Sequence, residues 1–141
     1  MPVEPLLVPI LEDRLREINS CLSSGSPFAA VILTGSILEG LLLGYALSQP
    51  QRFNQAIACP KDNSGKARSF QDWTLGHFID VAYEAGLLKI DVKKFSHSLR
   101  DFRNYIHPYA QMTSGFRPDQ HTAKICLQVL KAAIADLSGE R

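Results

Sequence analysis

Two arginines, an asparagine and a histidine fall within eight residues of the stretch LRDFRNYIHPY, Leu99 to Tyr109. A guanidinium grips phosphate oxygens in a forked geometry, and histidine exchanges protons near neutral pH. These residue types together suit chemistry on a phosphodiester. The alternative is the polar side of a solvated helix. The candidate residues are Arg100, Asp101, Arg103, Asn104, His107 and Tyr109.

A helical wheel separates the apolar side chains of this stretch from its polar ones. At about 100° per residue, a face within about 40° of Phe95 is predicted to meet the core: Leu99, Phe102, Ile106 and Tyr109. A polar strip lies beside it, between about 80° and 180°: Arg100, Arg103, Asn104 and His107. No acidic residue lies four positions before either arginine, so an ion pair within the helix does not account for them.

Apolar spacing elsewhere predicts the helices that position this strip. Five helices and no strand are expected, at about 8–22, 27–47, 69–85, 91–108 and 118–137. The segment 49–68 is irregular with one helical turn near 53–58, and 111–118 is a loop. Long helices joined by short or moderate loops predict an all-α fold, an antiparallel bundle of four to five helices.

Three local signals set the predicted ends of the third and fourth helices. Ser69 with Asp72 three residues later resembles a capping box that opens the third helix. Gly86 is placed to end this helix in a left-handed turn. Asp91 is predicted to cap the fourth helix, which carries the polar strip.

The 141 residues fit one domain, 1–141. The formal net charge of +1 excludes a protein that coats nucleic acid through overall basic charge, so an anion site must be local. The cysteines contain no Cys-x-x-Cys pair, and the histidines outside the polar strip fall on different predicted helices. We therefore expect free thiols in a reducing cytoplasm, structural histidines, and neither a metal nor another cofactor. These residues are Cys21, Cys59, Cys126, His77, His97 and His121.

One segment, 27–48, is almost long and apolar enough to span a bilayer. Glu39 lies in its middle, where a carboxylate is costly in lipid, so we expect a buried bundle helix. A membrane-associated helix is the alternative, and cell fractionation distinguishes the two. Glycines are predicted to mark close helix approach within one chain or across a dimer: Gly35, Gly40 and Gly44. The N-terminus carries Glu4 before a short apolar run and does not resemble a signal peptide, so we expect a cytoplasmic protein without membrane contact.

The opening stretch resembles the HEPN superfamily, small all-helical proteins with an arginine, four to six intervening residues and a histidine. Arg100 is followed by the polar Asp101 and lies six intervening residues before His107, which fits this spacing. Only three residues separate Arg103 from His107, so which arginine is the motif residue stays open. Tyr109, two residues after the histidine, resembles the His-x-Tyr ending of some toxin branches.

The resemblance implies a homodimer whose motif helices build one composite cleft, and metal-independent cleavage of RNA by a toxin or defence protein. It implies that His107 acts as general acid or base when the ribose 2′-hydroxyl attacks the neighbouring phosphate. Arg100, assisted by Arg103, would stabilise charge on phosphorus. Asn104 would orient groups, and Asp101 would hold an arginine of its own or the other subunit.

Many proteins of this kind are not enzymes, so a non-catalytic helical module that binds a nucleotide or another protein is the alternative. A separate nucleotidyltransferase or antitoxin partner stays open under either hypothesis. RNA cleavage distinguishes the two, because the module would bind its ligand without turnover.

Overall fold

The computed structural model describes residues 5–141, so Glu4, on which the argument about the N-terminus depends, lies outside the described residues. Residues 5–141 form seven α-helices and no strand, which confirms the predicted all-α helical bundle. The helices are α1 (Leu7–Ser24), α2 (Pro27–Ser48), α3 (Pro50–Asn54), α4 (Leu75–Glu84), α5 (Ile90–Arg103), α6 (Pro108–Ser114) and α7 (Gln120–Leu137). Two short 3-10 turns, Phe70–Asp72 and Asn104–Ile106, precede α4 and α6. The short helices α3 and α6 are additional to the five predicted, and α3 begins a few residues before the helical turn that was predicted near 53–58.

Helix α2 is the element around which the others pack. Its only charged residue is Glu39, and it contacts α1, α4, α5 and α7. A helix that is apolar on every side is stable only when neighbours cover it. Among residues 5–141, α2 is the one helix long and apolar enough to cross a bilayer, and 61% of its most apolar 18-residue window is buried inside the fold.

The start of α4 differs from the prediction because Trp73 interrupts the helix. Trp73 is extended, its indole Nε1 donates to the Arg68 carbonyl at 3.0 Å, and its ring lies 5.0 Å from that of Phe78. The true cap is Thr74, whose Oγ1 accepts from the His77 backbone N–H while His77 Nδ1 accepts from the Thr74 N–H. The predicted capping box at 69–72 is therefore wrong, whereas the left-handed Gly86 after α4 is confirmed.

The start of α5 also differs from the prediction. The backbone N–H of Lys89 donates to Asp136 Oδ2 of α7 at 2.9 Å. Asp91 lies inside the first turn, where its Oδ1 accepts from the Val92 N–H and its Oδ2 accepts from Arg141 Nη2 at 2.5 Å. The prediction that Asp91 caps the helix is wrong, because the helix begins at Ile90 with Lys89 as its N-cap residue.

The Cys126 thiol is expected to lower the free energy of unfolding at alkaline pH. The side chain is buried in the core, and burial raises its pKa to about 11. The unfolded thiol ionises from about pH 8.5 while the folded thiol stays neutral, so stability is unchanged below that pH and falls as the pH rises towards 11. We expect Cys126 to contribute about 1 to 2 kcal/mol of this loss. Urea unfolding of wild type and Cys126→Ser between pH 8 and 10.5 measures it, and equal slopes in both proteins would contradict it.

Candidate functional site

The helix that carries the polar strip ends earlier than predicted. Helix α5 stops at Arg103, and after the 3-10 turn His107 is extended, with φ −83° and ψ 112°. Pro108 explains the break, because a proline ring disfavours the α region for the residue before it. The same proline opens α6, since its fixed φ suits the first position of a helix. The predicted helix through 108 is therefore wrong, and the predicted loop over 111–118 begins only at Gly115.

The buried side chains of α5 form a line along the helix: Val92, Ser96 and Leu99. In this buried line Ser96 takes the place that was predicted for Phe95. Phe95, the centre of the predicted core face, is 56% exposed. Beyond Arg103 the wheel no longer applies, and Ile106 and Tyr109 are 52% and 73% exposed. The predicted core face is thus wrong at these three apolar positions and right at Leu99, and Phe102 is partly buried against the core.

Arg103 continues the buried line four residues after Leu99 and packs its stem on α2. A Cβ at Gly35 would lie 2.8 Å from Arg103 Cβ and closer still to its Cγ, so glycine is what allows this approach. The guanidinium donates from Nη1 to Glu39 Oε2 at 3.4 Å and from Nε to Asn104 Oδ1 at 3.3 Å. The predicted close helix approach at Gly35 is confirmed within one chain, and Arg103 is held with 21% of its side chain exposed.

Arg100 lies one turn earlier and packs against α4. A Cβ at Gly76 would lie 2.6 Å from Arg100 Nη1, so a second glycine makes room for a second arginine. Its Nε and Nη2 donate to Asp101 Oδ1 at 3.3 and 2.8 Å, and Nη1 lies 3.0 Å from His97 Nδ1. Asp101 therefore contacts the arginine of its own chain.

His97 links this arginine to α4. Its Nε2 lies 2.7 Å from Asp80 Oδ1, and Lys93 Nζ lies 4.0 Å from the same oxygen. An arginine has only donors, so Nδ1 of His97 must accept and the ring proton belongs on Nε2, from which it donates to Asp80. Asp80, His97, Arg100 and Asp101 thus form one continuous chain of hydrogen bonds from α4 to the end of α5.

His107 lies outside this chain of hydrogen bonds. Its side chain is exposed, and no hydrogen bond to its ring is found within residues 5–141. Its backbone N–H donates to the Asn104 carbonyl at 3.1 Å, and its carbonyl accepts from the Gln111 N–H at 3.3 Å. The turn before it, α6 and the residues that follow α6 expose a series of large apolar side chains: Ile106, Tyr109, Met112 and Phe116.

The charges near the end of α5 cancel within the chain, because each arginine has a carboxylate partner: Arg100 with Asp101, and Arg103 with Glu39. The arginines are therefore held in place, and a polyanion would compete with carboxylates for them. Within residues 5–141, no group of three or more histidine, cysteine, aspartate or glutamate side chains is arranged to hold a metal ion.

The structure gives His97 a role that the sequence argument did not assign, since it was expected to be a structural histidine. Its spacing of three residues before Arg100 is a signal that the sequence offers, because such residues are neighbours on a helix. The contact with Asp80 depends on how α4 packs and has no local signal. No protein-family model, curated protein or solved structure matches this chain.

Proposed function

We propose that this protein is a HEPN-like, metal-independent ribonuclease whose site is assembled by two copies of the chain around the end of α5. The observation that carries the proposal is the placement of two part-buried arginines over glycines, with an exposed histidine four residues after the second of them in the sequence. Arginines held in this way act on charge that develops at phosphorus without a cost of reorganisation. An exposed histidine with a free ring is available to a substrate proton.

In the proposed reaction, His107 takes the proton of a ribose 2′-hydroxyl as that oxygen attacks the adjacent phosphorus. The bond from phosphorus to the 5′-oxygen breaks, the departing oxygen takes the proton that His107 holds, and the products are a 2′,3′-cyclic phosphate and a 5′-hydroxyl. Arg100 and Arg103 stabilise the additional negative charge on the phosphate oxygens, and Asn104, which contacts Arg103, orients it. No metal takes part in these steps.

The exposed side chains around His107 support the second copy. Four large apolar residues are exposed within the short segment 106–116, and exposed apolar side chains that group together are typical of interaction surfaces. Tyr109 is among them, at 73% exposed. A two-fold axis beside this patch would cover it and bring two copies of His107 and the arginines to one cleft.

The experiment uses single-stranded RNA in the presence of a chelator. We expect cleavage with a 2′,3′-cyclic phosphate end and no cleavage of the 2′-O-methyl version of the same RNA, which lacks the attacking hydroxyl. Absence of cleavage of the unmodified RNA contradicts the proposal.

A mixture of two inactive variants tests whether the site is composite. When Arg100→Ala and His107→Ala chains are dissociated and reassociated in equal amounts, half of the dimers are mixed and each has one intact site. We therefore expect about a quarter of the wild-type activity if each site takes its arginine and histidine from different subunits. No recovery would place both residues of a site in one subunit.

A non-catalytic binding module is the second candidate, and the pairing of both arginines with carboxylates favours it. This candidate predicts that the wild-type chain binds a nucleotide or protein ligand with no turnover under any of these conditions.

A further inference from the structure

The hydrogen bonds of Arg100 leave part of its guanidinium free. A guanidinium has five N–H donors, and within residues 5–141 two of them contact Asp101 and one contacts His97. The remaining two N–H groups are carried by Nη1 and Nη2, the pair of nitrogens whose spacing matches two oxygens of a phosphate. His97 therefore holds the arginine while one N–H of Nη1 and one N–H of Nη2 have no partner within residues 5–141.

We propose, resting on the proposed function, that His97 and Asp80 are positioning residues that hold Arg100 ready for a phosphate only while His97 is neutral. Asp80 accepts the Nε2 proton and so keeps the lone pair of Nδ1 directed at Arg100. The absence of a side chain at Gly76 leaves the space in which Nη1 meets this lone pair. His97 and Asp80 act through Arg100 and contact no substrate.

Protonation of His97 reverses this contact. Both ring nitrogens then carry hydrogens, so an Nδ1–H donor would face an Nη1–H donor at a separation of 3.0 Å, and two cations would be adjacent. Asp80 gains from the same change, because its partner at 2.7 Å becomes positively charged. Protonation of the ring would therefore strengthen the contact of His97 with Asp80 and weaken its contact with Arg100.

Asp80 and Arg100 are the two charged groups that contact the His97 ring within residues 5–141. The other charged groups of the neighbouring helices contact other residues or are exposed. On α5, Lys93 lies 4.0 Å from Asp80 and above the Tyr83 ring of α4. The single charged residue of α2, Glu39, contacts Arg103. On α7, which also packs on α5, Asp136 contacts Arg141, and the two lysines, Lys124 and Lys131, are exposed. Whether Arg100 is held therefore depends on whether His97 is neutral, so that Nδ1 of His97 can accept a hydrogen bond from Arg100.

Two substitutions of similar size separate the acceptor from the rest of the ring. In His97→Asn, the amide oxygen takes the place of Nδ1 and cannot titrate. In His97→Gln, the longer side chain takes the place of Nε2 towards Asp80 and offers no acceptor at the Nδ1 position. A third change, Asp80→Ala, removes the partner that fixes the proton on Nε2.

The test is side-chain ¹⁵N NMR of the full chain, with Arg100 assigned by its loss in Arg100→Lys, combined with RNA cleavage. At pH 8 we expect an Nε2–H tautomer for His97 and resolved, slowly exchanging Arg100 signals. These signals should average as His97 is titrated in wild type, stay resolved at every pH in His97→Asn, and be averaged at every pH in His97→Gln. Asp80→Ala should loosen Arg100 in the wild-type background and change little in the His97→Asn background.

The rate of RNA cleavage should fall by about 10- to 100-fold in His97→Gln relative to His97→Asn, because a misplaced catalytic group loses about that much. The inference is overturned if His97 carries its proton on Nδ1, if Arg100 stays ordered in His97→Gln, or if a loosened Arg100 leaves cleavage unchanged. If the wild-type chain cleaves no RNA while the NMR results are as expected, the proposed function fails and the positioning of Arg100 by His97 is supported.

Discussion

His107→Ala should lower the rate of RNA cleavage by about 100- to 10,000-fold, the range that a positioned general acid or base contributes. The folded structure should be unaffected. The His107 side chain is exposed, and the interactions that this residue makes within residues 5–141 come from its backbone, with Asn104 and Gln111. Alanine keeps the N–H and the carbonyl, and it adopts the extended conformation that Pro108 imposes.

Cleavage of a defined RNA under single-turnover conditions, with thermal unfolding of the same samples, measures both parts of this prediction. His121→Ala is the matched control, because His121 is also an exposed histidine and lies on α7. Its rate should equal that of wild type. Equal cleavage by wild type and His107→Ala would remove His107 from the reaction and with it the assignment taken from the motif.

The sequence predicted the parts of the fold that depend on apolar spacing. Leu99 is buried as expected, and α1, α2 and α7 lie close to the predicted ranges. Periodicity works there because each helix buries one stripe, or in α2 nearly every side, against its neighbours. In α5, periodicity predicted that Phe95 is buried, whereas Ser96 is the buried residue. The prediction failed because Phe95 is apolar and exposed while Ser96 is polar and buried.

The contacts of the candidate site depend on packing between distant elements, which spacing along one helix does not reveal. Arg103 contacts Glu39, 64 residues away, and His97 contacts Asp80 on another helix. The break in the helix at His107, unlike these contacts, could be predicted from the sequence, because Pro108 disfavours a helical conformation for the residue before it. A wheel drawn across that proline joined residues that do not share a helix, so the continuous polar strip holds only for Arg100 and Arg103.

Gly35→Ala is expected to destabilise the protein by about 2 kcal/mol, within the range for overpacking a close contact. The added methyl group would lie 2.8 Å from the Cβ of Arg103, an atom fixed to the backbone of α5, so α5 must move away from α2. Alanine gains up to about 1 kcal/mol over glycine inside a helix, which reduces the cost without cancelling it. Urea unfolding followed by far-UV circular dichroism measures the change.

Gly40→Ala on the same helix is the matched control. The new methyl group would lie 2.8 Å from Cδ2 of Leu11, the end of a side chain that can rotate, so the gain in helix propensity should offset most of the strain. Because the clash at Gly35 includes the Cγ of Arg103, truncation in Arg103→Ala should reduce the cost of Gly35→Ala by a measurable coupling energy. Equal effects of the two glycine substitutions, or strict additivity with Arg103→Ala, would show that α5 is not seated on α2 through this arginine. The expected inequality would instead tie the position of Arg103 to the stability of the bundle.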